Sequence, residues 1–228
     1  MKSIMVIAAH PDDEVLGCGG TIAWHTDNNH EVNVLIVSEG ITSRSDNRDS
    51  KKDEDFLTDL KKNAEKANEI LGVRGIQFLD YPDNRLDSVD RLDVIKSIEK
   101  AISENKPDTI YTHFASDLNV DHRIVQEAVI TAARPLPGNQ IKTVLSFEIA
   151  SSTDWQTAGK YQSFSPNWYV DISKQLDRKL SALEIYSSEM RDWPHARSIE
   201  AIQYNAKLRG SQIGTDAAEA FQLLRHLK

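Results

Sequence analysis

Short apolar runs alternate with helical patterns from the N-terminus onward, and the first run ends abruptly in charge. Ile4-Met5-Val6-Ile7-Ala8 reads as a buried strand, and Ala9-His10-Pro11-Asp12-Asp13-Glu14 follows at once. Packing gains nothing from three adjacent acids, and their mutual repulsion costs stability. A divalent cation removes that objection by supplying the missing positive charge. The cluster therefore reads as a metal site at the mouth of a sheet, with one carboxylate left over for chemistry.

The same alternation continues along the chain. Strands are expected over residues 4–9, 31–37, 76–79, 109–112 and 143–148. Helices are expected over 14–27, 54–71, 88–105, 120–133, 173–189, 196–208 and 217–227. Gly72 stops the second helix, and Leu92, Ile95, Ile98 and Ile102 mark one apolar face of the third. Residues 38–55 form a long polar stretch, and 150–168 read as irregular. Repeated strand–helix units predict a Rossmann-like α/β fold: a doubly wound, mostly parallel sheet of core order 3-2-1-4-5, covered on both faces. The 228 residues fit one such domain. In these sheets ligands sit beyond the carboxyl ends of the strands where the order reverses, here between the first and fourth strands.

The loop after the fourth strand meets that expectation. It reads His113-Phe114-Ala115-Ser116-Asp117-Leu118-Asn119-Val120-Asp121-His122-Arg123, with two histidines and two aspartates near a strand end. His10, Asp13 and His122 then make a two-His, one-carboxylate set, a usual protein contribution to catalytic Zn2+ that leaves a position open. Fe2+, Mn2+ and Co2+ suit the same donors. The helix start after His10 favours ionised carboxylates. Asp121 reads either as an acid orienting a histidine ligand or as a helix-start acid.

Acidic residues (35) exceed basic ones (27), for a formal charge of −8, which argues against nucleic acid or anionic lipid as a general partner. The lone cysteine, Cys18, excludes an intrachain disulfide and fits a reducing compartment. It reads as a small residue where a Gly-Cys-Gly-Gly segment packs closely on the sheet. Those glycines lack the order of a dinucleotide fingerprint. No secretory signal and no transmembrane segment are expected, and the chain reads as cytoplasmic.

His-Pro-Asp-Asp-Glu after the first strand, with the later Asp117-x-x-x-Asp121-His122 segment, resembles the LmbE/PIG-L family of metal-dependent N-deacetylases. Leu16-Gly17-Cys18-Gly19-Gly20-Thr21, Asp80-Tyr81-Pro82-Asp83-Asn84, Pro194-His195-Ala196-Arg197-Ser198 and Ala218-Glu219-Ala220-Phe221 also look like family segments, so the likeness spans most of the chain. It implies His10, Asp13 and His122 as zinc ligands and Asp12 as general base, acting on an N-acetylglucosamine-type sugar or glycoconjugate. Many members have a histidine three residues before the second ligand histidine, where this chain has Asn119. Asparagine donates a hydrogen bond but delivers no proton. Asn119 is therefore expected to bind the oxyanion or the substrate, leaving Asp12, His113 or His195 to protonate the leaving amine.

Substrate contacts are expected from Arg44 on the polar stretch, Asp83 after the third strand, and His195 and Arg197 in the C-terminal part. Arg48, Asn84, Trp155, Trp168 and Trp193 are weaker candidates, because turn, solvent and core roles account for them as well. The rival readings are an amidase of a larger N-acyl or thiol-conjugate substrate, and a sugar-binding protein without turnover.

Overall fold

The computed structural model describes residues 1–44, 54–157, 159 and 161–228. Five parallel strands run in chain order β1 (Ser3–Ala8), β2 (Glu31–Ser38), β3 (Gly75–Tyr81), β4 (Thr109–His113) and β5 (Thr143–Phe147). Strand β6 (Trp168–Asp171) and strand β7 (Ala218–His226) complete the sheet in the order β3-β2-β1-β4-β5-β7-β6. The 3-2-1-4-5 core is present, and β1 registers Ile4 against Val32 on one side and Thr109 on the other. The chain order reverses between β1 and β4, so the loops following both open onto one crevice.

Helices α1 (Asp13–Asp27), α2 (Glu54–Leu71), α3 (Arg91–Asn105), α4 (Val120–Ala132), α5 (Leu176–Ile185) and α6 (Ile199–Ser211) cover the sheet. Apolar faces of α1, α2 and α5 bury Val15, Leu60 and Leu183 with Val6 and Val34 on one side. Ile98 of α3 and Val125 of α4 bury with Met5, Ile7 and Leu35 on the other. This two-sided cover explains why the strands read as continuous apolar runs. No helix among the described residues is long and apolar enough to cross a membrane.

Three expectations change. Residues 217–227 do not form a helix: β7 pairs antiparallel with β5, placing Phe221 opposite Phe147 and against the Tyr111 ring at 5.1 Å. Alanine-rich local preference yields there to pairing along the open edge of β5. The short edge strand β6 emerges from the end of the stretch read as irregular and pairs with β7. Helix α3 starts at Arg91 because Asp90 accepts the Leu92 N–H as its cap, and Leu92 lies exposed rather than on the buried face.

Helix α1 breaks at Cys18, whose φ of −150° is not helical. A Cβ on Gly17 would fall 2.4 Å from the Phe147 ring, and one on Gly20 would fall 2.6 Å from Ile172. Close packing on the sheet thus requires these glycines. The N–H groups released at the break, those of Gly20 and Thr21, donate to Glu219 on β7, which also receives Lys179 Nζ at 2.5 Å.

Candidate metal-centred active site

The turn between β1 and α1 aims three consecutive side chains in different directions. Asp12 sits at φ +110°, a backbone conformation that non-glycine residues rarely adopt. It is held there by Glu14, whose Oε2 accepts the Asp12 N–H at 3.0 Å. Glu14 is itself fully buried and receives the Tyr186 hydroxyl (2.6 Å) and the Asn68 amide (2.9 Å) at Oε1. Burial pushes the Glu14 carboxyl up to about 7, against the pull of those hydrogen bonds. Glu14 therefore acts as a strut for the turn.

His10 and Asp13 meet across that turn. The Asp13 Oδ2 atom lies 3.3 Å from His10 Nδ1, and 3.2 Å from Nε2 of His122 on the first turn of α4. All three residues are nearly or fully buried, and their donor atoms lie within 4.8 Å of one another. Tetrahedral zinc with bonds of about 2.0–2.1 Å separates its ligands by about 3.3 Å. Both contacts match that edge. Asp13 Oδ1 and His122 Nε2 are also buried without a hydrogen-bond partner, which a cation would satisfy. The residues fit a divalent metal on distance, chemistry and unspent polar atoms.

Each histidine is backed by a carboxylate. His10 Nε2 lies 3.1 Å from Asp121 and 3.2 Å from Asp83. Asp121 also accepts the N–H groups of Asn84 and Leu86, tying the loop after β3 to the site. His122 Nδ1 lies 3.0 Å from Asp117, a carboxylate that further accepts the Asn119 N–H and the hydroxyls of Ser152 and Thr153. Such partners fix the tautomer and orientation of ligand imidazoles. Burial opposes ionisation of Asp117, but His122 and the hydroxyls overcome it and hold the acid down at about 2. Burial likewise pulls His122 down, and Asp13 and Asp117 outweigh it, raising the ring to about 9.

Asp12 stands beside this set and outside it. Its Oδ2 accepts Arg197 Nη1 at 2.7 Å, while Arg197 Nε donates to Ser151 Oγ. Burial pushes the Asp12 carboxyl up to about 8, with Arg197 pulling down and Asp13 pushing further up. Arg197, expected to touch substrate, is thus placed on the candidate base. His195 lies next to it, its Nδ1 accepting the Arg197 N–H at 3.0 Å.

Other expected residues occupy different places. Asp83 is buried behind His10 and accepts the Ser43 N–H. Asp121 likewise sits behind His10 at 0% exposure. Asn119 caps α4 by accepting the Asp121 N–H, and its Nδ2 donates to Asn84 Oδ1. His113 is fully buried, stacks on His122 at 4.0 Å, and accepts the Ala9 N–H at Nε2. Burial and His122 lower its pKa, which favours the neutral ring. The Arg44 side chain and Arg48 lie outside the described residues. Sequence reasoning did not assign Asp117, Ser152 or Thr153. Asp117 carried a signal, lying five residues before His122 in the same acidic loop, whereas the two hydroxyls carried none.

The doubly wound sheet has counterparts among known proteins. Residues 5–133 match the family model PIG-L, described as GlcNAc-PI de-N-acetylase, and the chain belongs to that family. It is 30% identical over 223 residues to a diacetylchitobiose deacetylase of Thermococcus kodakarensis, covering 92% of this chain and 80% of that protein. It is 26% identical over 190 residues to a probable N-acetyl-alpha-D-glucosaminyl L-malate deacetylase of Bacillus cereus, covering 82% of this chain and 84% of that one. The N,N'-diacetylchitobiose deacetylase structure from Pyrococcus horikoshii shares the fold, with a TM-score of 0.78 at 22% identity, over 98% of this chain and 84% of that chain.

Proposed function

We propose that this protein is a divalent-metal-dependent hydrolase that removes the acetyl group from an N-acetylglucosamine-type sugar or glycoconjugate. The observation that carries the reading is the division within the first turn: Asp13 joins His10 and His122, while Asp12 remains beside them on Arg197. The named activities of the two relatives support the choice of acetamido sugar. His10, Asp13 and His122 would hold the zinc, which would supply Lewis acidity to activate water near neutral pH and to polarise the acetamide carbonyl.

The chain's own residues do the rest. Asp12 accepts the proton of the attacking water as its oxygen bonds to the acetyl carbon. When the carbon–nitrogen bond breaks, Asp12 returns that proton to the amine, giving acetate and a free amino sugar. Arg197 holds Asp12 Oδ2 and so sets the direction of the carboxyl. Asn119 Nδ2 has a second hydrogen besides the one given to Asn84, and this donates to the carbonyl oxygen as negative charge develops. Asn119 has no acidic proton and His113 is fully buried, so of the groups expected to protonate the amine Asp12 and His195 remain, and Asp12 is the one that already carries the water's proton.

The test is acetate release by zinc-loaded protein from a panel of N-acetylated sugars and longer N-acyl analogues. Asp12→Ala is expected to keep stoichiometric zinc and lose acetate release. Zinc loss in Asp12→Ala would mean the ligand aspartate is misassigned. Saccharide binding with no acid released by the wild type would favour a binding protein without turnover.

A further inference from the structure

The loop after β5 does two jobs with one backbone. Its inward side braces the metal-ligand shell, since Ser152 and Thr153 hold Asp117 and Ser151 holds Arg197. Its outward side presents Trp155, which is 51% exposed. The loop is stiffened for this presentation. Thr153 Oγ1 accepts the Ile149 N–H, Asp154 accepts the Ser152 N–H, and Gln156 Nε2 donates to the Asp117 carbonyl. Ser151 adopts φ +66° within it. A large indole on a braced loop forms a pre-organised platform, with little side-chain entropy left to lose on binding.

Trp155 lies at the rim of the crevice. Strand β5 is parallel to β4, so the loop leaves the sheet at the same end as the His113 loop. The indole packs edge-to-face on His195 at 5.3 Å; His195 accepts the Arg197 N–H; and Arg197 contacts Asp12. Two side chains therefore separate the indole from the candidate base. A ring joined to an acetamido sugar whose acetyl group lay beside Asp12 would reach toward the indole along these contacts. Because His195 Nδ1 accepts, the neutral ring carries its proton on Nε2, a donor suited to a sugar hydroxyl. An exposed indole beside an N–H donor is complementary to a pyranose, which has C–H groups on its faces and hydroxyls at its edge.

We propose that Trp155 and His195 form a subsite for a second sugar ring linked to the N-acetylglucosaminyl unit, making the enzyme selective for disaccharides or longer over the free monosaccharide. This rests on the deacetylase reading above and adds the length and class of its substrate.

The experiment compares kcat/KM for N,N'-diacetylchitobiose and N-acetylglucosamine in zinc-loaded wild type, Trp155→Ala and Trp155→Phe, with tryptophan fluorescence titrations of both sugars in parallel. The disaccharide-to-monosaccharide ratio is expected to fall about tenfold in Trp155→Ala and by less in Trp155→Phe, which keeps an aromatic face. The disaccharide is expected to perturb wild-type fluorescence, and Trp155→Phe is expected to lose that signal while melting at the wild-type temperature. An unchanged ratio with an unchanged fluorescence response overturns the subsite and leaves the deacetylase reading standing. A wild type that shows the Trp155-dependent signal but releases no acetate from either sugar overturns the deacetylase reading and supports the subsite. Absence of both signals overturns both.

Discussion

Asp117→Asn separates the bracing of the site from its chemistry, because the replaced carboxylate touches no reacting atom. Asp117 accepts the Asn119 N–H at 2.8 Å and two hydroxyl protons, and it faces His122 Nδ1 at 3.0 Å. An amide of the same shape turns one oxygen into a donor, which then opposes His122 or one of the hydroxyls. Loss of a hydrogen bond to a charged group costs about 1.5–3 kcal/mol. Loss of the carboxylate behind a ligand histidine typically weakens metal binding by about 10–100-fold. That range corresponds to about 1.4–2.8 kcal/mol of binding free energy, the same size as the hydrogen-bond cost. The assay is competition for zinc against a chelator of known affinity, with urea unfolding of the metal-free protein alongside. The expected result is zinc affinity lowered within that range, with a smaller effect from Ser152→Ala. A folded Asp117→Asn protein that binds zinc within twofold of wild type would refute the idea that Asp117 orients His122.

Three further outcomes follow from other contacts. Lys179 and Glu219 are 4% and 6% exposed, so Lys179→Met should destabilise the fold by about 3–5 kcal/mol in urea unfolding. Lys179→Met with Glu219→Gln should recover part of that loss, and a single-variant loss below about 1 kcal/mol would contradict a buried ion pair at the helix break. Burial, aided by His30 and Lys2, pushes His25 down to about 3 from its ordinary 6.5. The neutral ring's stability contribution is complete above pH 6.5 and is lost as pH falls from there toward 3, amounting to about 2 kcal/mol at pH 5. His25→Gln should remove that much of the stability difference between pH 7 and pH 5, and an identical pH dependence in both proteins would contradict the buried neutral assignment. Asn119→Ser keeps a capping oxygen for α4 but removes the amide donor, so it should lower kcat by about 100-fold while leaving the melting temperature near wild type. An unchanged kcat would remove Asn119 from the reaction.

Much of the site was legible because its residues are neighbours of strand ends. His10, Asp12 and Asp13 share one turn, and His122 opens the helix after β4, so the reversal of strand order alone brings the two segments together. The partners behind them were less legible. Asp121 and Asp117 stood in the right loop, but which histidine each one serves depends on the angle at which α4 leaves β4. Ser151, Ser152 and Thr153 had no signal at all, because they reach the site only through the path of an irregular loop.

The C-terminal part shows the same boundary. Ala218-Glu219-Ala220-Phe221 carries a pattern compatible with a helix, and only the open edge of β5 makes it a strand. Arg197 was visible as a charged residue near the site, yet its contact with Asp12 spans 185 positions in the chain. Periodicity and local clusters report on forces between near neighbours, and these determined the strand–helix units, the crevice and the His–Asp–His cluster. Edge pairing, the carboxylates behind each histidine and the rim carrying Trp155 depend on distant segments meeting, and only the tertiary structure decided them.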